Sequence, residues 1–349
     1  GRIQSMKTSR SYASTLYDYF SFLEANDLHW NEPYLNDSQN FSISAVALYR
    51  NWSRSLLKKN GLRTVSDSTI NLRLSVLKRF YSYCYDSGLI GYEPWETLFK
   101  IESEKMPSFL RHTRGQRVIR SNDLVLKTFK LPPKLLSLDQ CKTLIHAIDN
   151  KELKLMTKLI LSTGLRKDEV ISFEKSSLFE PNMFEPNRRI PINLIPKNEG
   201  QRTKGSKPRR VFISVPLMKE LWDYINFGEG VTRAKIFEKR YGYNSPFVFL
   251  NRFGKTYSET SLNNSYRKLY TGSDNKIDFK VSPHMLRHTY ATIELYAESQ
   301  RTNIVAALAW VKERLGHSSL ATTSVYIHCI ELMQEHELSI YQQELDAME

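Results

Sequence analysis

The chain has 349 residues, of which 41% are hydrophobic, so it is long enough for two domains and too apolar for a disordered protein. Its 50 Lys and Arg against 37 Asp and Glu give a net charge of +13, which favours a polyanionic partner. The longest apolar run, 304–311, is far shorter than the roughly 20 residues of a membrane span. We therefore expect a cytoplasmic protein without a signal peptide, whose three cysteines are reduced.

The first 110 residues show helical periodicity three times and predict a small helical bundle. The pattern is clearest from Ile70 to Cys84, where apolar residues recur every three or four positions and Gly88 supplies a stop. Arg73 and Arg79 fall off this stripe and are either contacts to a polyanion or ordinary solvated cations. The predicted helices cover residues 8–28, 43–59 and 66–87.

Periodicity is lost over residues 101–133, which contain seven Lys and Arg against three acids. We predict that 111–133 is a basic interdomain linker that lies along a polyanion, with a plain solvated connector as the alternative interpretation. The candidate contact residues in this linker are Arg111, Arg114 and Arg117.

Residues 134–349 predict a second domain of mixed α and β structure. Ser137 and Gln140 form a capping box at the start of one helix, and Gly164 ends the next. Two strand-like runs on either side of a basic segment predict a small antiparallel sheet, and a third run is a weaker strand candidate. These runs are 189–195, 210–215 and 246–250.

The stretch from Ser282 to Tyr326 combines residues that suit phosphate chemistry. Ser282 is a good N-cap, so His284 and Arg287 share one face of a first helical turn, where backbone N–H groups attract anions. His317 follows a glycine that can stop the next helix, and Tyr326 comes nine residues later on a predicted short helix. Tyrosine beside Arg and His suggests attack of the phenol on phosphorus, whereas a surface helix start and a half-buried aromatic are the ordinary alternative.

The order and spacing of these motifs resemble the tyrosine recombinases of the phage-integrase family. The family signature is His-x-x-Arg, then Leu-Gly-His, then a tyrosine nine residues after that histidine, as found here within 284–326. The family also has an arginine in a Thr-Gly-Leu-Arg-x-x-Glu segment, here 163–169, and a lysine in a β-hairpin, here within 203–207. The resemblance covers nearly the whole chain and implies a mainly α protein, with a SAM-like core-binding domain before the recombinase catalytic domain.

The resemblance also implies a role for each charged residue of the site. Arg166 and Arg287 are expected to bind the scissile phosphate from two sides, and Glu169 to orient the arginine side chains. Lys204 is expected to protonate the departing 5′ oxygen as general acid, with Lys207 as its rival. Further candidate DNA contacts are Arg202, Lys207, Arg209 and Arg210.

By the same resemblance, Tyr326 is the nucleophile that forms a 3′-phosphotyrosine. His284 would accept the phenol proton or bond a phosphoryl oxygen, and His317 would position the phosphate or Tyr326. We expect His288 to take no part, because it comes four residues after His284 and one position off the useful face of the helix.

These roles imply site-specific cleavage and rejoining of double-stranded DNA in the bacterial cytoplasm, away from membranes and with no cofactor or metal ion. Mobile-element members of the family suggest DNA integration, excision or transposition, with accessory proteins as further partners. Type IB topoisomerase-like relaxation and a catalytically silent DNA-binding protein are the alternatives. The filled catalytic positions argue against the silent protein, and the Leu-Gly-His-to-Tyr segment argues against the topoisomerase.

The acidic end of the chain is predicted to bind protein and not DNA, because residues 325–349 contain six acids and no Lys or Arg. Packing on the same domain is one interpretation of its apolar stripe. The resemblance implies the other, in which a helix at about 331–349 docks onto a neighbouring protomer and builds a homo-tetramer on DNA. The stripe consists of Leu338, Tyr341, Leu345 and Met348.

Removal of residues 338–349 should damage assembly more than chemistry, because this segment has one apolar face and no cation. The shortened protein should bind a single DNA site normally, fail to form a tetramer and lose recombination. Light scattering of the protein on its DNA measures this assembly. A shortened protein that still forms tetramers and recombines would show that the helix packs only on its own domain.

Overall fold

The computed structural model describes residues 6–31, 34–36, 41–92, 97–101, 118–122, 124–128, 132–196, 200–203, 207–272 and 275–331. The chain divides into two compact units, residues 1–130 and 131–349. Within the described ranges, every helix is too short or too polar to cross a membrane. The predictions for Lys204, Arg111, Arg114, Arg117 and the docking helix beyond residue 331 concern residues outside these ranges.

The first unit is a helical bundle with two short antiparallel strand pairs. Its three helices confirm the predicted bundle, and their observed ends lie within four residues of the predicted ones. Tyr19, Tyr49 and Tyr81 are fully buried in its core, where the hydroxyl groups of Tyr19 and Tyr81 lie 2.6 Å apart. The elements are α1 (Met6–Ala25), β1 (Tyr34–Asn36), β2 (Phe41–Ile43), α2 (Ala45–Ser55), α3 (Asp67–Asp86), β3 (Thr97–Ile101) and β4 (Val118–Asn122).

Arg73 belongs to the packing of this bundle. Its guanidinium group lies 2.6 Å from the Asp18 carboxylate and 3.1 Å from the Tyr49 hydroxyl, and Tyr49 donates to the same carboxylate. The charge of Arg73 is thus engaged between α1 and α3, and its contact with DNA stays a prediction. Arg79 is exposed and contacts Tyr12 through both the ring and the hydroxyl group.

Residues 118–122 and 124–126, which lie within the predicted interdomain linker 111–133, belong to the first unit. β4 pairs with β3 along five residues, and Asn71 exchanges two hydrogen bonds with the backbone of Leu126, both at 2.8 Å. Leu124 is buried against the helices. The described part of the predicted linker thus includes a strand, and strands of five residues are too short to leave a clear periodic signal.

The second unit is mixed α and β, as predicted, with one two-stranded antiparallel sheet. The predicted third strand at 246–250 forms only isolated bridges, between Glu174 and Phe247 and between Leu250 and Thr256. The elements are α4 (Leu138–Ala147), α5 (Lys151–Thr163), α6 (Lys167–Ile171), β5 (Arg189–Leu194), β6 (Arg209–Ser214), α7 (Val215–Asn226), α8 (Glu229–Tyr241), α9 (Glu259–Tyr270), α10 (Pro283–Arg301), α11 (Ile304–Leu315), α12 (Leu320–Thr323) and α13 (Ile327–Glu331), with 3₁₀ turns at Lys175–Ser177 and Ser324–Tyr326.

Helix α10 lies at the centre of this unit and packs against α5 and α11. The Ser282 hydroxyl caps it by accepting from the backbone N–H of Met285 at 3.3 Å, which confirms the predicted N-cap. Its buried face includes Leu286, Tyr290 and Ile293. This packing places the start of α10 beside the ends of α5 and α11.

Gly164→Ala should lower the free energy of unfolding by about 3 kcal/mol, because a Cβ there would collide with the Tyr290 ring and lie 2.9 Å from Leu315. Gly242→Ala is the matched control. Both glycines end a helix at positive φ, +63° and +77°, but a Cβ at Gly242 meets nothing within 4 Å and should cost only about 1 kcal/mol. Denaturant unfolding measures both. Equal losses would show that α5, α10 and α11 adjust to the added methyl group.

Candidate active site

Two helices end at the same place, and their last carbonyl groups form one side of the candidate site. Helix α5 ends at Gly164 and α11 at Gly316, both in the left-handed conformation, with φ of +63° and +61°. Helix C-termini present unpaired carbonyl oxygens and the negative end of the macrodipole. Here Gly164, Leu315 and Gly316 each accept a hydrogen bond from a guanidinium group.

Arg166 is the N-cap residue of α6, directly after the end of α5. Its guanidinium group lies 3.1 Å from the carboxylate of Glu169 and donates to the Gly316 carbonyl at 3.2 Å. Glu169 is buried and also accepts the backbone N–H of Arg166 at 2.7 Å, which closes the first turn of α6. The Thr-Gly-Leu-Arg-x-x-Glu segment is therefore a helix stop followed by a helix start that fixes the arginine.

Arg209 and Arg287 both donate to the Leu315 carbonyl, at 2.5 and 2.7 Å. Arg209 also forms an ion pair with Glu169, and the side chains of Arg209 and Glu169 are both buried. Alternation along β6 turns Arg209 inward, toward this cluster, and Arg210 outward, and the contact of Arg209 with DNA stays a prediction. The same alternation, applied to the sequence, could have identified Arg209 as an inward residue.

This cluster contains more positive than negative charge. The guanidinium groups of Arg166 and Arg209 share the Glu169 carboxylate, whereas that of Arg287 donates to the carbonyls of Gly164 and Leu315. Among these contacts, three positive charges therefore face one carboxylate and backbone dipoles. Burial, and then repulsion from Arg209 and Arg166, lower the pKa of Arg287 to about 9, which leaves it charged at neutral pH. An excess of this kind stabilises a bound oxyanion such as a phosphodiester.

Tyr326 lies beside the cluster and contacts two histidines. Its side chain is only 2% exposed, and its hydroxyl oxygen is 2.9 Å from Nδ1 of His288. The ring of His317 stacks on it, with 6.3 Å between the centroids and 15° between the planes. Burial raises the pKa of the Tyr326 phenol, whereas Arg287 lowers it. A phenol with a raised pKa needs a proton acceptor before it becomes a good nucleophile.

His317 connects Tyr326 to Arg287. An NH2 group of Arg287 lies 3.3 Å from Nε2 of His317, and because arginine can only donate, Nε2 accepts and the proton resides on Nδ1. Nδ1 lies 3.0 Å from the Thr323 hydroxyl. Burial, followed by the charge of Arg287, lowers the pKa of His317 to about 3, so the ring is neutral at pH 7. This geometry fits the positioning role expected for His317.

His284 and His288 contact each other at the start of α10, with ring centroids 4.1 Å apart. His284 is exposed, whereas His288 is partly buried and reaches Tyr326. The prediction that His288 lies one position off the useful face is wrong, because residues four apart lie one above the other on a helix and His288 reaches Tyr326. The sequence therefore contained the signal, since His284 and His288 have this spacing.

A cavity of about 750 Å³ opens beside the arginines. Its walls include Arg166 from α6, His284 and Arg287 from α10, and residues of α9. Tyr270 of α9 lines this cavity, whereas Tyr326 is not among its lining residues. The volume is sufficient for a phosphate group together with its flanking sugars.

The described residues on both sides of Lys204 are attached to Glu169. On one side the amide of Gln201 donates to the Glu169 backbone carbonyl at 3.1 Å, and on the other Arg209 binds the Glu169 carboxylate. Glu169 therefore contacts both Gln201 and Arg209, and it also binds Arg166. The exposed cations around it are Arg202, Lys207 and Arg210.

Arg209→Ala should lower the free energy of unfolding by about 3 kcal/mol, because removal of one partner leaves the buried Glu169 and the Leu315 carbonyl short of a donor. Arg210→Ala is the matched control, since this neighbour is exposed and donates only to Asn193 among the described contacts. Its loss should stay below about 0.5 kcal/mol. Denaturant titration gives both values, and similar losses in the two variants would contradict a structural role for Arg209.

Residues 134–331, more than half of the chain, match the family model for the phage integrase family. The tyrosine recombinase XerC of Chlamydia caviae is 27% identical over 93% of this chain and 89% of its own length. Two solved structures show a similar fold. XerH site-specific recombinase bound to palindromic difH substrate has a TM-score of 0.55 at 16% identity, covering 91% of this chain and 75% of XerH.

The second structure is the Tn1549 transposon integrase in complex with transposon right end DNA. It has a TM-score of 0.53 at 16% identity and covers 93% of this chain and 90% of the integrase. Both likenesses concern the fold alone. The match to the family model, together with the arrangement of the arginines, histidines and tyrosine, leads to one conclusion. The chain belongs to the phage integrase family of tyrosine site-specific recombinases.

Proposed function

We propose that this protein cuts and rejoins double-stranded DNA at specific sites, with Tyr326 as the nucleophile and a 3′-phosphotyrosine as the intermediate. The position of Arg287 is the observation that supports this most. Its side chain lines the cavity and donates to His317, whose ring stacks on Tyr326. One residue therefore links the anion site to the phenol.

A phosphodiester in the cavity would meet Arg166 and Arg287 on two sides. Each guanidinium group can donate two N–H groups to phosphoryl oxygens, on which negative charge grows as the phenol oxygen attacks. Glu169 and the carbonyl groups already fix both arginines, so little reorganisation accompanies the reaction. His284, exposed at the cavity wall, is placed to bond a further phosphoryl oxygen.

Lys204 is proposed to protonate the 5′ oxygen that leaves. It comes three residues after Gln201 and five before Arg209, which are both attached to Glu169. Because an extended chain covers at most about 3.6 Å per residue, chain connectivity limits the distance between the Cα atoms of Gln201 and Lys204 to roughly 11 Å. Lys207, which is exposed, stays the rival for this role.

The energy of the broken phosphodiester is kept in the phosphotyrosine ester, so the 5′-hydroxyl can rejoin without ATP. Attack by a 5′-hydroxyl from a partner strand instead gives strand exchange.

We propose DNA integration, excision or transposition of a mobile element as the biological use, by a tetramer docked through residues 331–349. Resolution of chromosome dimers is a second candidate, because the similarity to tyrosine recombinase XerC extends over 93% of the chain. Exposed cations proposed to contact DNA phosphates are Arg79, Arg202, Lys207 and Arg210.

Tyr326→Phe should abolish covalent capture of DNA with little loss of binding, because only the attacking oxygen is removed. Tyr270→Phe is the matched control, since Tyr270 lines the cavity and is the rival nucleophile by position. This control should still form the adduct. The measured quantity is the amount of denaturation-resistant protein–DNA complex that forms with sheared genomic DNA of the source organism in excess EDTA.

Adduct formation by Tyr326→Phe, or its loss in Tyr270→Phe alone, would assign the nucleophile to another tyrosine. Sequencing the captured DNA then separates the two biological uses. Fragments from the two ends of a mobile element support integration or excision, whereas one chromosomal site without such an element supports dimer resolution.

A further inference from the structure

The phenol of Tyr326 already has a proton acceptor in contact. Nδ1 of His288 lies 2.9 Å from the phenol oxygen, and the two rings have centroids 5.5 Å apart. His284, the residue expected to take this proton, contacts the ring of His288 and lines the cavity, and no hydrogen bond joins it to Tyr326 among the described residues. Proton transfer requires that the phenol and its acceptor lie within hydrogen-bond distance of each other. Of the two histidines, His288 meets this condition.

We propose that His288 is the general base of strand cleavage, a role that rests on the proposed function because it needs Tyr326 as the nucleophile. As the phenol oxygen bonds to phosphorus, its proton moves to Nδ1 of His288. The bond from phosphorus to the 5′ oxygen breaks, and that oxygen takes a proton from the general acid, proposed above as Lys204. In rejoining, the imidazolium of His288 returns its proton to the leaving phenolate.

The position of His288 in the chain couples the base to the substrate. It follows Arg287 directly on α10, so one rigid helix fixes both the phosphate ligand and the proton acceptor. Burial, and then the charges of His284 and Arg287, lower the pKa of His288 to about 4, so the ring is neutral and can accept a proton. A phosphate bound to Arg287 would offset part of that repulsion and make His288 a stronger base when substrate is present.

His284 then has a different task. Its ring packs edge-on against His288 at an interplanar angle of 63°, while its exposed side faces the cavity. This contact orients the ring of His288, and the free edge of His284 is available to a phosphoryl oxygen. The two histidines thus divide the roles that the sequence assigned to one.

The test combines His288→Asn and His284→Asn with a fluorinated tyrosine of lower phenol pKa at position 326. Asparagine retains polar contacts but is no base, and a more acidic phenol needs no base. With the natural tyrosine, His288→Asn should slow single-turnover adduct formation by about 10²-fold or more, the scale of general base catalysis. With the fluorinated tyrosine its defect should shrink to less than about tenfold, while the defect of His284→Asn should stay the same.

If the His288→Asn defect is equally large with the natural and the fluorinated tyrosine, His288 has a structural role and the proposal is overturned. The proposal is also overturned if the fluorinated tyrosine relieves the defect of His284→Asn. Wild-type rates in His288→Asn would overturn it equally. If thermal unfolding shows that His288→Asn does not fold, His288→Ala with imidazole in the buffer replaces it, and adduct formation that does not increase with imidazole contradicts the proposal. Absence of any adduct in the wild-type protein would instead refute the proposed function.

Discussion

Packing of three guanidinium groups, those of Arg209 and Arg287 buried, against the Glu169 carboxylate and the carbonyls at the ends of α5 and α11 is the constraint on which the rest of the catalytic unit depends. An unpaired buried cation costs several kcal/mol, so each arginine must find acceptors in the fold. The ends of α5 and α11 supply them, because helix C-termini expose carbonyl oxygens and carry partial negative charge. The start of α6, the start of α10 and the strand β6 must therefore all meet at this point.

The same arrangement leaves the site short of negative charge. One carboxylate binds two of the guanidinium groups, and the third, that of Arg287, contacts backbone carbonyls, whose dipoles are weaker than an ion. The negative charge of a DNA phosphate would compensate the excess positive charge of the arginines, so the same arginines that hold these helix ends together favour an anionic substrate. The ring of His317 stacks on Tyr326 and accepts a hydrogen bond from Arg287, so the proposed nucleophile is coupled to the anion site.

Local patterns in the sequence predicted those parts of the site that depend on helix ends. Gly164, Arg166 and Glu169 form a stop and a start within six residues, and Ser282 and Gly316 are capping residues whose neighbours can be placed from spacing alone. For Arg209 and His288 the sequence contained the strand alternation and the four-residue spacing, but these local patterns do not decide which strand face is buried or how α10 packs, which are tertiary properties. The strand β4 escaped prediction because its pairing with β3 bridges distant segments of the chain.

The arginine cluster and Tyr326 are proposed to perform phosphoryl transfer together, without a metal ion. Peptide mapping of the trapped complex tests it most directly. The protein is reacted in excess EDTA with DNA that carries a nick next to the cleavage site, digested with protease and nuclease, and analysed by mass spectrometry. We expect a nucleotide attached to the peptide that contains Tyr326. Attachment to any other residue, or a strict need for a divalent metal ion, would contradict it.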